Sequence, residues 1–233
     1  GAADYWDFAQ IYSPDADENL AVGGHTSRQS LYCTASNTTV FSTLTTAPRA
    51  RFVAAHDNYL MAGNVAEGSL TLPQRVRWSD RGNPSNWTGG LSGFEDLLDM
   101  KGEITRLAVQ DGRFVLFSEY EVWQGIPRDF PFTFTFSAYD RSVGCPYSWT
   151  VSQTPLGLVF LSRDYQVYLL PKGGGPAQPI GKKIQRELRQ TIVYPENAWS
   201  VFDSRRGYYQ LYYAASSGAT RPWRALYLDV NKG

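Results

Sequence analysis

Pro48-Arg49-Ala50-Arg51-Phe52-Val53-Ala54-Ala55-His56-Asp57-Asn58-Tyr59-Leu60-Met61-Ala62 decides the fold class of this chain, together with the run Arg75-Val76-Arg77-Trp78-Ser79-Asp80-Arg81-Gly82-Asn83-Pro84 that follows a short loop. Arg51–Ala55 and Tyr59–Ala62 are apolar runs of strand length, and His56-Asp57-Asn58 between them is a turn. Asp and Asn tolerate the left-handed backbone that tight hairpins demand, so the two runs are expected to pair. Arg75–Trp78 supplies a third strand, closed by the turn from Ser79 to Pro84. The stretch is one β-meander.

The same grammar recurs on both sides. Upstream, Tyr5–Tyr12, Asn19–Val22, Ser30–Thr34 and Thr39–Leu44 form a first meander. Downstream, Ile104–Val109, Arg113–Phe117, Glu121–Gln124 and Thr133–Phe136 form a third, with Asp111-Gly112 as the strongest hairpin signal in the chain. A fourth unit takes Tyr147–Ser152, Gly157–Leu161 and Tyr165–Leu170, and a fifth takes Ala198–Phe202, Tyr208–Tyr213 and Ala225–Asp229. Gly89–Gly102, rich in glycine and acids, is expected to be a long connection between units. Equivalent turns fall roughly 40 to 50 residues apart, the period of blades built of about four strands. The expected fold is therefore all-β, a β-propeller-like array of four-stranded antiparallel meanders with about five blades. It is expected to form one domain over residues 1–233, as a piece of a longer polypeptide.

One segment departs from the strand pattern. Ile184, Leu188 and Ile192 fall four apart, which stacks them on one helical face, so a short helix is expected within 181–192. Lys182, Lys183, Arg186 and Arg189 make its other face basic, the ordinary composition of a solvated helix surface.

Composition agrees with the class and excludes several functions. The 233 residues include 15 Tyr, 12 Phe and 7 Trp, which suit half-buried pleated surfaces, and 21 Gly and 13 Pro, which punctuate short strands. The seven tryptophans, Trp6, Trp78, Trp87, Trp123, Trp149, Trp199 and Trp223, occur in every unit and are expected to anchor packing between blades. Lysine plus arginine equals aspartate plus glutamate, 22 each, without the basic excess of a sequence-specific nucleic-acid binder. No window approaches the roughly 20 apolar residues of a membrane helix, and the first residues lack a signal-peptide pattern, so no membrane anchor is expected.

Motifs for chemistry are sparse. Cys33 and Cys145 stand far apart without metal or redox spacing, and buried free thiols are expected before a disulfide. His25 and His56 have no second ligand at zinc spacing, and no G-x-S-x-G elbow occurs. Asp15-Ala16-Asp17-Glu18-Asn19 opens like a calcium loop, but Leu20 replaces the required glycine and Thr26 the bidentate Glu. Gly173–Lys183 looks superficially like a phosphate loop, yet Pro176 stands at its first glycine and Lys183 at its Ser/Thr. No catalytic, cofactor or metal residue is therefore assigned. A glycosidase needs only two facing carboxylates, and Glu95, Asp96, Asp99, Glu119 and Glu121 are the acids near aromatic residues. Ser79-Asp80-Arg81-Gly82-Asn83-Pro84-Ser85-Asn86-Trp87 resembles the Asp-box turn of sialidase-like propellers with altered spacing, which favours a propeller hairpin over an active site.

A wider resemblance covers roughly Thr46 to Ile192. Thr46–Phe52, Tyr59–Gly63, Arg75–Asp80 with Asn83–Trp87, Gly102–Leu107, Phe114–Glu119, Val122–Gln124, Tyr165–Tyr168 and Pro179–Ile184 resemble bacteriophage tail proteins of the nozzle or tail-hub type. That resemblance implies a structural, non-enzymatic virion protein. It would be a propeller subunit forming a ring with its own copies around the genome-ejection channel, docked to the head-to-tail adaptor and carrying tail or fibre proteins. DNA would pass through the lumen without sequence-specific contact, and an electrically balanced chain suits that transit. The alternatives are a carbohydrate-binding or glycoside-hydrolase propeller and a propeller scaffold for protein partners.

Overall fold

The computed structural model describes residues 5–13, 18–25, 27–28, 31–35, 41–129, 131–216 and 221–230, with backbone alone at 13, 18 and 32–35. Five sheets follow one another along the chain. The first holds β1 (Trp6–Ser13), β2 (Glu18–His25), β3 (Tyr32–Ala35) and β4 (Ser42–Thr43). The second holds β5 (Arg49–His56), β6 (Tyr59–Glu67), β7 (Leu70–Trp78) and β8 (Gly93–Asp96). The third holds β9 (Ile104–Gln110), β10 (Arg113–Ser118), β11 (Val122–Pro127) and β12 (Phe134–Asp140), and the fourth β13 (Ser152–Thr154), β14 (Gly157–Leu161), β15 (Val167–Pro171) and β16 (Gln178–Pro179). After α1 (Lys182–Thr191) come β17 (Trp199–Asp203), β18 (Tyr208–Tyr213) and β19 (Arg224–Asp229). Within every sheet the strands lie in chain order. This is the all-β, propeller-like series of meanders that the turn spacing predicts.

The chain divides into two compact units. One comprises the described residues of 5–116 and 123–137, the other those of 117–122 and 138–230. In the former, β1 packs beside β5 and β5 beside β9, so the first strands of successive sheets are neighbours. Ile11, Val22, Leu31, Val53, Leu60, Val65 and Trp87 form its core. Burying each such side chain contributes about 1.5–3 kcal/mol. Hairpin turns behave as their residues require: Asp57 and Asn58 have φ of 49° and 60°, and Asp111 and Gly112 of 53° and 71°.

Two polar devices join these sheets. Asp7 of β1 is buried; its Oδ2 accepts the Val53 N–H of β5 at 3.0 Å and its Oδ1 accepts from Arg106 of β9 at 2.7 Å. Asn64, at φ 55°, breaks the β6–β7 register between Gly63 and Val65. Its amide donates to the Ile104 carbonyl at 2.8 Å and to Glu103 at 3.1 Å, while its Oδ1 accepts from Arg28 at 2.7 Å. Glu103 also takes Arg51 at 2.9 Å. The bulge thus turns a buried amide onto an ion-pair cluster, and both polar atoms of the Asn64 side chain are used.

In the other unit Val159, Leu161, Val167, Leu188, Tyr209, Leu211 and Tyr213 make the core, and Ile184 of α1 and Ile192 just past its end pack against it. The helix spans Lys182–Thr191 with Leu188 buried, as the four-residue spacing predicts. Thr150 ties the last two sheets: its carbonyl accepts from the Tyr209 hydroxyl at 2.7 Å and the Ser200 hydroxyl at 2.8 Å, and its Oγ1 accepts the Leu161 N–H at 3.1 Å. No helix among the described residues is long and apolar enough to cross a membrane.

Three local expectations are corrected. Gly89–Gly102 is more than a connection, because Gly93–Asp96 forms β8 against β7. Arg75 clamps Asp96 there with two hydrogen bonds of 2.7 and 2.6 Å, and cross-strand charge replaces the apolar pattern that marks other strands. Tyr147–Ser152 is not a strand: Ser148–Thr150 is a 3-10 turn, and β13 begins only at Ser152. The Thr150 hydroxyl, which donates to the Tyr147 carbonyl at 2.8 Å, bonds locally instead of leaving the backbone to a ladder. Finally, Gln178 and Pro179, inside the glycine-rich segment that looks like a phosphate loop, form a short strand that pairs with Leu169 and Tyr168.

Candidate functional site

The acids singled out in the sequence do not converge. Glu95 and Asp99 are exposed. Asp96 is engaged by Arg75, whose hydrogen bonds hold its carboxyl below the usual carboxylate range. Glu121 is fully buried, with Oε1 3.4 Å from Arg141. Glu119 lines a cleft, and the other acid lining it, Asp164, carried no sequence signal.

Two hairpin tips build that cleft. In Ser118-Glu119-Tyr120-Glu121 the Ser118 hydroxyl accepts the N–H groups of Tyr120 and Glu121 at 3.3 and 3.0 Å, and the Ser118 N–H donates to the Glu121 carbonyl at 2.9 Å. A serine folding the backbone over itself in this way pushes the two middle side chains outward. Behind the turn, the Gly144 backbone lies so close that a Cβ there would sit 2.4 Å from Tyr120 N and 2.5 Å from Ser118 O. The opposite tip is Ser162–Gln166. Tyr165 takes φ 60°, the Ser162 N–H donates to the Gln166 carbonyl at 2.9 Å, and Asp164 Oδ1 accepts the Gln166 N–H at 3.1 Å. Arg189 and Gln185 of α1 brace this tip by donating to the Asp164 carbonyl at 3.0 and 3.2 Å.

The resulting cleft has a volume of about 440 Å³. Glu119, Tyr120, Arg163, Asp164 and Tyr168 face it, with the Val143-Gly144 backbone as part of its wall. The Arg163 guanidinium lies 5.0 Å over the Tyr120 ring. Tyr168 stacks on Phe160 with ring centroids 5.9 Å apart. Burial, and then the negative charge of Asp164 and Asp140, push the Tyr168 hydroxyl pKa up, so it serves as a neutral donor and acceptor.

The remaining motifs are structural. Asp80 Oδ1 accepts the N–H groups of Arg81 and Leu91, both at 2.9 Å, and Oδ2 accepts the Asn86 amide at 3.1 Å. Trp87 is buried, its indole N–H on the Pro84 carbonyl at 2.7 Å. The turn resembling an Asp-box is therefore knotted around its own aspartate. Gly90 has φ +63°, and a Cβ there would lie 2.2 Å from Asp80 Oδ2. Gly90→Ala is expected to cost about 1–3 kcal/mol in urea unfolding. A loss below 0.5 kcal/mol would mean the knot does not hold the loop.

In the glycine-rich segment the Ala177 N–H donates to Asp140 Oδ2 at 2.8 Å. A carboxylate of the protein itself takes a donor that a phosphate loop would offer to its ligand. His25 is buried against Trp6 at 4.7 Å, and His56 packs edge-on to Phe114 at 6.0 Å. Among the described residues no group of three or more His, Cys, Asp or Glu is placed to hold a metal. Asp15–Asp17, at the start of the calcium-like loop, lie outside the described residues, as does the Cys33 side chain. Cys145 is buried, its thiol directed to the Tyr147 carbonyl at 3.4 Å. Of the tryptophans, Trp78, Trp87 and Trp123 are buried as expected, whereas Trp6, Trp199 and Trp223 are exposed.

The sheet series defines the class of protein as all-β and propeller-like. No family model and no curated protein matches the sequence. Among solved structures, BamB from Moraxella catarrhalis is similar, with a TM-score of 0.41 and 10% identity over 94% of this chain and 72% of that one.

Proposed function

We propose that the chain is a structural subunit of a bacteriophage tail nozzle or hub, forming a ring with its own copies around the genome-ejection channel. Partners in this proposal are neighbouring copies, the head-to-tail adaptor and other tail or fibre proteins, and the location is the virion tail. Besides the sequence resemblance, the observation that carries it is aromatic surface left open on the first and last sheets. Trp6, Phe8 and Phe41 are 39%, 58% and 45% exposed, and Trp199, Trp223 and Tyr227 are 38%, 62% and 55% exposed. Phe94 of β8 and Phe132 before β12 are also open, 53% and 68% exposed, whereas β10 and β14 are buried nearly throughout. The Trp6 and Phe41 rings each lie 6.3 Å from Phe8, and contiguous exposed aromatic surface of this kind is normally covered by association. The balance of 22 basic and 22 acidic residues also suits a wall that must not retain DNA.

Electron microscopy of the purified protein, and of particles containing it, tests the proposal. Closed rings are expected. A strictly monomeric protein that turns over aryl glycosides would overturn it and leave the sugar-active alternative.

A further inference from the structure

We propose that the cleft between the 118–121 and 162–166 turns is a binding site for a neutral carbohydrate. The inference does not rest on the ring proposal, since the whole site is built within Phe117–Val122 and Ala138–Gly233.

The lining of the cleft complements a sugar. The cleft, about 440 Å³, falls within the roughly 300–1,000 Å³ that small ligands occupy. Its charged groups are of both signs: Glu119 and Asp164 only accept hydrogen bonds, and Arg163 only donates them. A basic side chain entering here would satisfy Glu119 but be repelled by Arg163. An acidic one would meet Arg163 and be repelled by two carboxylates. A sugar hydroxyl is donor and acceptor at once, so neighbouring hydroxyls of one pyranose can donate to Glu119 and accept from Arg163 with no unpaired charge. Tyr120, 39% exposed with Arg163 over one face, and Tyr168, backed by Phe160, line the cleft with rings and hydroxyls that suit the C–H face and rim of such a sugar.

The site is also fixed before any ligand arrives. Ser118 holds the Glu119-Tyr120 tip, and α1 braces Asp164. Preformed geometry lowers the ordering cost of binding. Arg163, by contrast, is held against Tyr120 only by its ring contact and can lift to meet a hydroxyl.

Saturation-transfer NMR and calorimetry with glucose, galactose and N-acetylglucosamine as probes, beside tri-lysine and tri-glutamate, test the site. At least one sugar is expected to bind with a roughly millimolar dissociation constant. Glu119→Gln and Arg163→Met are each expected to weaken it by about tenfold or more, because a polar group of the site or ligand loses its match. Arg163 is exposed and Glu119 half-buried, and neither side chain belongs to a core, so circular dichroism should be unchanged. Asp99→Asn, which removes an exposed acid elsewhere, should leave binding intact. Absence of transfer to all three sugars, binding unaltered in both cleft variants, or preferential binding of either charged peptide would each overturn the proposal.

Discussion

Replacing Asp7 by alanine is expected to lower the unfolding free energy by about 3–5 kcal/mol, the loss that follows when one partner of a buried ion pair is removed. Asp7 is 3% exposed and bonded to groups from two other sheets. Alanine would strip the Val53 N–H of its acceptor and Arg106 of this countercharge, and the core would then hold a void as well. Asp7→Asn keeps an acceptor for Val53 and nearly the same volume but turns its amide nitrogen toward Arg106, so its cost should be smaller than alanine's, about 1.5–3 kcal/mol. Urea unfolding of the three proteins decides the matter. Equal, small losses in both variants would show that Asp7 does not join the sheets.

Asp7 also predicts a pH dependence with a definite sign. Burial raises its pKa above the usual 3.8, and this outweighs Arg106 and the Val53 N–H, which pull it down. The folded protein therefore keeps the proton where the unfolded chain has released it. More protons on the folded state means that stability from this group falls as pH rises through the window between 3.8 and the raised value. Asp7→Asn should abolish that downward slope; an unchanged slope would assign it to another group.

The second large effect is expected at Gly144. A methyl group there would lie 2.4, 2.5 and 2.6 Å from Tyr120 N, Ser118 O and Glu119 C, all backbone atoms of the turn that carries the cleft's aromatic wall. No side-chain rotation relieves that overlap. The two segments must separate, which also strains the Cys145 N–H bond to the Ser118 carbonyl, now 2.8 Å. Gly144→Ala should cost about 3 kcal/mol, the upper end for overpacking. For a protein of this size that is a fall in melting temperature of roughly 6–12 °C. Calorimetry measures it directly. A shift under about 2 °C would mean that the turn yields freely and does not preform the cleft.

How legible each feature was in the sequence depended on whether its cause was local. The Asp57-Asn58 and Asp111-Gly112 turns announce themselves because left-handed backbone selects their residues. The helix was equally plain, since Ile184, Leu188 and Ile192 all meet one core. β8 was hidden because its stability comes from an arginine on the partner strand, not from its own pattern. The tryptophans show a similar limit: composition says they pack, but the register of each strand decides which face they take, so Trp78 is buried and Trp199 is not. The cleft was the least legible feature. Glu119 was visible only as one of several acids, and Arg163 and Asp164 belong to an ordinary turn more than 40 residues away. Nothing in the local chemistry of either turn encodes their meeting, which the sheets beneath them arrange.

Thr150 has a bearing on how the protein opens. One residue in a 3-10 turn holds the Leu161 amide of β14 with its side chain and the Ser200 and Tyr209 hydroxyls of β17 and β18 with its carbonyl. Dislodging it releases both ladders together, so amide hydrogen exchange in these strands should report a single cooperative opening instead of piecemeal fraying. The two meanders most distant from the amino terminus would then act as one foldon, latched by a single threonine.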